Sequence, residues 1–184
     1  MEIRAGAELR AEPESKKLIG HAAVFNKRSL DLGGFVEIIQ PGAFKNSLNN
    51  DIRALIDHRG IAIARTGNGT LKVEEDEVGL RFEIDLPDTT AGLDIYKSIQ
   101  RGDVDQMSFG FTVREGGQIF TEDEDGTIIR TLTDINVLEG SIVTFPAYPD
   151  TDVAARSVQA WLESKSSYVS NRLRMKDGLR RRRL

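Results

Sequence analysis

The chain has two histidines, His21 and His58, and no cysteine. An imidazole is the side chain best suited to move a proton near neutral pH, so a hydroxyl nucleophile in this chain would most economically be served by one of these two. His21 lies in Gly20-His21-Ala22-Ala23-Val24-Phe25, a strand pattern, and reads as structural. His58 follows a run in which Ile52, Ala54 and Ile56 share its face if the segment is extended, and Arg59-Gly60 comes next. A residue at the end of a strand beside a glycine can reach into a cleft. Among the serines, Ser108 is set apart by its surroundings. Alternation places Met107, Phe109, Phe111 and Val113 on one face of its segment and Gln106, Ser108, Gly110 and Thr112 on the other, so the hydroxyl points away from the apolar face. Gly110, on the same face, leaves room where a substrate backbone could approach. A buried carboxylate would orient the imidazole. Glu139, inside the apolar run Val137 to Val143, is one candidate, and Asp57 and Asp134 compete with it. On pattern alone the same residues describe more readily a histidine capping the fold and a solvent-facing serine beside a bulge, and Glu139 also reads as an edge-strand glutamate facing water.

The elements that must hold these residues are short. From Leu18 to about Thr144 the chain is a series of apolar runs separated by turn residues, the pattern of a β-rich fold. Strands are expected at residues 18–25, 35–39, 52–56, 71–74, 80–86, 106–113, 128–134 and 137–145. Gly67-Asn68-Gly69 and Asp123-Glu124-Asp125-Gly126 supply turns between them. A turn of helix is expected at Pro41-Gly42-Ala43-Phe44. A full helix is expected between Asp88 and Arg101, with Asp88, Thr89 or Thr90 as N-cap and Gly102 at its end. An amphipathic helix is expected at residues 152–164, carrying Val153, Val158, Trp161 and Leu162 and ending in the polar, flexible Ser164 to Ser167.

Composition bounds the rest. A chain of 184 residues, 39% of them hydrophobic, suits one globular core. The absence of cysteine excludes disulfides, thiolate metal sites and cysteine nucleophiles, and nothing in the sequence calls for a cofactor or a metal. The N-terminus does not read as a signal peptide, and no apolar run approaches the roughly 18 residues of a membrane span. The net charge of −4 is unevenly spread. Residues 153–184 hold nine Lys and Arg against Glu163 and Asp177, a net of +7 that leaves −11 on the remainder. This divides the chain into a body, residues 1–152, and a basic tail, 153–184, ending Arg-Arg-Arg-Arg-Leu.

Taken together, six segments resemble the prohead maturation proteases of tailed bacteriophages. They are Gly20 to Asn26, Pro41 to Phe44, Ala54 to His58, Gly79-Leu80 with the strand after it, Gln106 to Phe111, and Glu139 to Tyr148, in family order across about residues 18–150. The resemblance implies a serine endopeptidase housed in the immature capsid in the host bacterial cytoplasm. Such an enzyme removes scaffolding segments from the phage capsid protein and cleaves itself. It also implies a mostly antiparallel β-barrel with a few surrounding helices, α+β in class, similar to the herpesvirus assembly proteases, and through them a homodimer. Carried over by position, His58 is the base and Ser108 the nucleophile. The herpesvirus enzymes use a second histidine as third member; the spare one here, His21, lies in another segment, so Glu139 is the preferred substitute. Those enzymes also carry an arginine after the third member, where this chain has Pro146-Ala147-Tyr148-Pro149, so the oxyanion donors stay unassigned.

The basic tail reads first as a capsid-targeting or self-removed segment that concentrates the enzyme on its substrate, and only second as a nucleic-acid contact. Two other functions fit the same elements: a non-catalytic scaffold or assembly chaperone on the same barrel, and a small nucleic-acid-binding barrel. The second lacks an aromatic stacking face, because Phe109 and Phe111 fall on the core side.

Overall fold

The computed structural model describes residues 1–13, 15–145 and 156–165. Among the described residues there are eleven strands: β1 (Glu2–Ala11), β2 (Lys17–Val24), β3 (Phe35–Ile39), β4 (Arg53–Ile56), β5 (Arg59–Arg65), β6 (Leu71–Glu75), β7 (Gly79–Asp85), β8 (Gln106–Val113), β9 (Gln118–Glu122), β10 (Ile128–Leu132) and β11 (Ile135–Val143). Among the described residues the α-helices are α1 (Thr90–Arg101) and α2 (156–165), and one 3₁₀ turn spans Thr66–Asn68. Eight strands form one sheet in the order β5-β4-β11-β8-β1-β2-β7-β6, and its end strands β5 and β6 approach each other, so that the sheet nearly closes into a barrel. A second sheet, β3-β10-β9, has three strands. Most pairings are antiparallel; β4 with β11 and β3 with β10 are parallel. The β-rich class expected from the apolar runs is the class observed, and each of the eight expected strands is present within a few residues.

Three strands escape the sequence pattern. At the start of β1 the inward positions are charged: Glu2 and Arg4 are both buried, with Glu37 and Arg130 beside them, and Leu9 further along joins the apolar core. Arg4 Nε donates to Glu37 Oε1 at 2.8 Å and Arg130 Nη2 to Glu2 Oε1 at 2.9 Å, a network that satisfies each charge where an apolar side chain would ordinarily sit. Strand β5 is an edge strand whose Ile61 is almost wholly exposed, and β9 is largely exposed as well.

Between Pro41 and Asn49 the chain makes consecutive turns rather than the expected turn of helix. Gly42 takes φ +90°, which breaks a right-handed helix at once, and the Phe44 N–H donates to Glu75 Oε1 at 2.7 Å. Helix α1 matches expectation closely. Thr89 caps it by accepting from the Gly92 N–H, Gly102 ends it in the left-handed region, and Ile95, Tyr96 and Ile99 meet the core. The expected start of helix α2 at residue 152 lies outside the described residues; its described part is helical from 156 and continues through Ser164 and Lys165. Its Val158 is buried with Leu32 and Phe35, and Trp161 lies against Phe120 of the small sheet with ring centroids 5.8 Å apart. Residues 146–155 and 166–184, with Val153, Pro146-Ala147-Tyr148-Pro149, Ser166-Ser167 and most of the basic tail, lie outside the described residues.

The main core fills the barrel. Phe25, Phe44, Phe109 and Phe111 form a chain of ring contacts with centroids 5.8, 5.9 and 5.1 Å apart. Such contacts favour strand β8 through its apolar face and fix it at the centre of the sheet. That leaves the other face of β8 to carry chemistry.

Candidate active site

Strand β8 lies between β11 and β1. On the β11 side the register pairs Phe111 with Val137, Gly110 with Glu139 and Ser108 with Ser141. Residues directly opposite each other in a ladder share a face. Val137 therefore stands on the core face with Phe111, whereas Glu139 and Ser141 stand with Ser108 on the opposite face. Simple alternation would put Val137 and Glu139 on the same side. A β-bulge between Val137 and Glu139 absorbs Leu138 and switches the strand's facing, which is how a bulge re-aims a side chain. The carboxylate arrives on the face of Ser108, opposite Gly110, for that reason.

The histidine arrives by a different route. Strand β4 ends at Ile56, and Asp57 and His58 both take left-handed backbone angles, φ +47° and +58°. Asp and His are among the non-glycine residues that tolerate this region best. The turn is held at several points. The Asp57 N–H donates to the Ile142 carbonyl at 2.8 Å, the Thr144 N–H donates to Asp57 Oδ1 at 2.9 Å, and the His58 N–H donates to Ser141 Oγ at 3.2 Å. His58 is thereby taken out of the strand alternation and folded onto the face that carries Glu139.

There the His58 ring meets Glu139, with Nδ1 2.8 Å from Oε1. A carboxylate only accepts, so in the neutral form of the ring the contact puts the proton on Nδ1 and the lone pair on Nε2. Nε2 is buried and has no hydrogen-bond partner among the described residues. Glu139 Oε2 accepts from Ser141 Oγ at 2.5 Å. Of the carboxylates the sequence put forward, Asp57 is spent on Thr144, and Asp134 faces Asn46 and Arg114. His21 pairs with Asp76 at 2.8 Å, apart from this site.

Ser108 is not solvent-facing. It has no exposed surface, and its hydroxyl donates to the Arg4 carbonyl of β1 at 2.7 Å. The serine stands in the middle of the sheet, paired with Ser141 of β11 on one side and hydrogen-bonded to β1 on the other. Gly110 also serves differently from the expectation of an open substrate path. A Cβ there would stand 2.4 Å from Glu139 Oε1 and 2.9 Å from Met1 Sδ, so the missing side chain makes room for the carboxylate.

The structure thus brings His58 and Glu139 into contact and sets Ser108 on the same strand face as Glu139, two ladder positions from Gly110. Sequence reasoning did not single out Ser141. Its signal was faint: a serine two residues after an acid, in a strand whose facing is changed by the bulge. No group of three or more His, Asp or Glu among the described residues is placed to hold a metal ion, and no helix there is long and apolar enough to cross a membrane.

Residues 5–164 match the family model described as caudovirus prohead serine protease. The chain is also 33% identical to the prohead protease of Enterobacteria phage HK97, in an alignment covering 88% of this chain and 76% of that protein. No solved structure matches, so the likeness to the herpesvirus enzymes rests on the sequence resemblance alone. By the family match over most of its length, the chain belongs to the caudovirus prohead serine proteases, the serine peptidases of phage capsid maturation.

Proposed function

We propose that Ser108 is the nucleophile, His58 the general base and Glu139 the residue that orients it, in an endopeptidase that cuts the scaffolding segment from the phage capsid protein and also cuts itself. The observation that carries the assignment is the contact of His58 with Glu139, which shares a strand face with Ser108, together with a buried Nε2 that has no partner among the described residues. Nε2 takes the Ser108 proton as Oγ bonds to the scissile carbonyl carbon. The same proton then passes to the leaving amine as the peptide C–N bond breaks, and a water activated by His58 releases the acyl group. Glu139 holds the tautomer and balances the imidazolium charge.

The hydroxyl must first leave the Arg4 carbonyl, and the covered face must open to a peptide. The resting chain is therefore a shielded form of the enzyme. Residues 1–152 form the peptidase body, acting as a homodimer in the procapsid within the host cytoplasm. The basic segment 153–184 tethers the body to its substrate or is removed by self-cleavage, a reading supported by its charge of +7 against an acidic body.

Co-expression with the cognate capsid precursor tests the assignment. Wild type should yield truncated capsid protein and a shortened enzyme by mass spectrometry, and Ser108→Ala should leave both full-length. Truncation by the Ser108→Ala chain would overturn the nucleophile, and intact precursor with wild type would favour a non-catalytic assembly role.

A further inference from the structure

We infer that Ser141 is a positioning residue that ties both halves of the His58–Glu139 pair together, an inference that rests on the reading of His58 as base. Ser141 has no exposed surface, and its hydroxyl is used twice. It donates to Glu139 Oε2 at 2.5 Å, within the range of a charge-assisted O–H to carboxylate bond, and it accepts from the His58 backbone N–H at 3.2 Å. One atom therefore anchors the carboxylate that orients the imidazole and the backbone from which the imidazole hangs.

Both anchors meet a physical need. His58 sits in a left-handed turn beyond the end of β4, where its N–H has no ladder partner; the Ser141 hydroxyl supplies one. Glu139 has three side-chain torsions and is almost fully buried, so a second bond on Oε2 removes the freedom that a single bond to the ring would leave. The register adds a third element. Ser141 lies opposite Ser108 across β11 and β8, so the strand position that holds the base pair is locked to the strand position of the nucleophile. Ser141 itself is poorly placed to be the nucleophile, because its proton is committed to the carboxylate on the Nδ1 side of the ring and not to the free Nε2.

The test uses the full chain, Ser141→Ala and Ser108→Ala, with three readouts. With a peptide spanning the mapped cleavage site, Ser141→Ala should lower kcat about 10- to 100-fold while leaving KM within about twofold, the signature of a misplaced catalytic group. In histidine-selective ¹⁵N NMR, the His58 Nδ1–H signal should shift or broaden, whereas the His21 signal, whose ring pairs with Asp76, should not move. A fluorophosphonate probe should still form its adduct on Ser108. Wild-type kcat together with an unmoved His58 signal would overturn the positioning role while leaving the triad intact if Ser108→Ala is inactive. An adduct on Ser141 would overturn both assignments by making Ser141 the nucleophile.

Discussion

Glu139 Oε1 occupies the space that a side chain at Gly110 would need, 2.4 Å from the position of a Cβ on that residue. The two face each other across β11 and β8 just past the bulge that turns Glu139 out of the core. Gly110 is thus a condition for the carboxylate to reach His58, and its conformational freedom is not what the site uses.

Gly110→Ala is expected to push the Glu139 carboxylate off His58 Nδ1. A displacement of about 1 Å at such a group costs on the order of 10²-fold in rate, and overpacking costs about 1–3 kcal/mol in stability. Steady-state kinetics and thermal unfolding check both numbers. Wild-type turnover would show that the carboxylate finds another path to the ring, and the steric account would then fail.

Glu139→Gln keeps the volume but lets the side chain donate to the ring, which permits the wrong tautomer and removes the charge that balances the imidazolium. A fall of about 10⁴-fold in kcat is expected, with the folded structure retained by circular dichroism. Activity within about tenfold of wild type would remove Glu139 from the orienting role, since Asp57 and Asp134 already have other partners.

The buried network of Glu2, Arg4, Glu37 and Arg130 ties β1 to the small sheet and should make stability sensitive to acid. Burial works to raise the Glu2 pKa, but the Arg130 hydrogen bond and the charges of Arg130 and Arg4 outweigh it and hold the carboxyl below its ordinary value of 4.5. A carboxyl whose folded pKa lies below its unfolded one binds fewer protons in the native state. Its stabilisation is complete above about pH 4.5 and is lost as pH falls through the lower, folded value. Denaturant unfolding followed from pH 6 downward should show this loss, and Glu2→Gln should be less stable at pH 6 but flatter in its acid dependence. Parallel pH curves for the two proteins would rule Glu2 out as the source. Arg130→Met, which leaves Glu2 and Glu37 short of a partner, should cost about 3–5 kcal/mol at neutral pH.

The strands and α1 were legible in the sequence wherever one face of an element is apolar and the other polar, because burial acts on each residue separately and leaves a period along the chain. Segment 106–113 is the plainest instance: Phe109 and Phe111 mark its core face, and Ser108 follows on the other. The types of the candidate residues were legible too, since a chain with two histidines and no cysteine offers few ways to build a nucleophile and its base. The pattern failed where neighbours from distant parts of the chain decide what a position can hold. Strand β1 reads as polar because its inward charges are satisfied by Glu37 and Arg130, 33 and 128 residues from the network members they bind. Glu139 changes face at a bulge that has no meaning until β8 lies beside β11, and Ser141 gains its two hydrogen bonds only when the Asp57-His58 turn folds over that pair. Hydrophobic period is a property of a segment, whereas the aim of a side chain at a bulge or a left-handed turn is set by the partners that strand pairing brings to it.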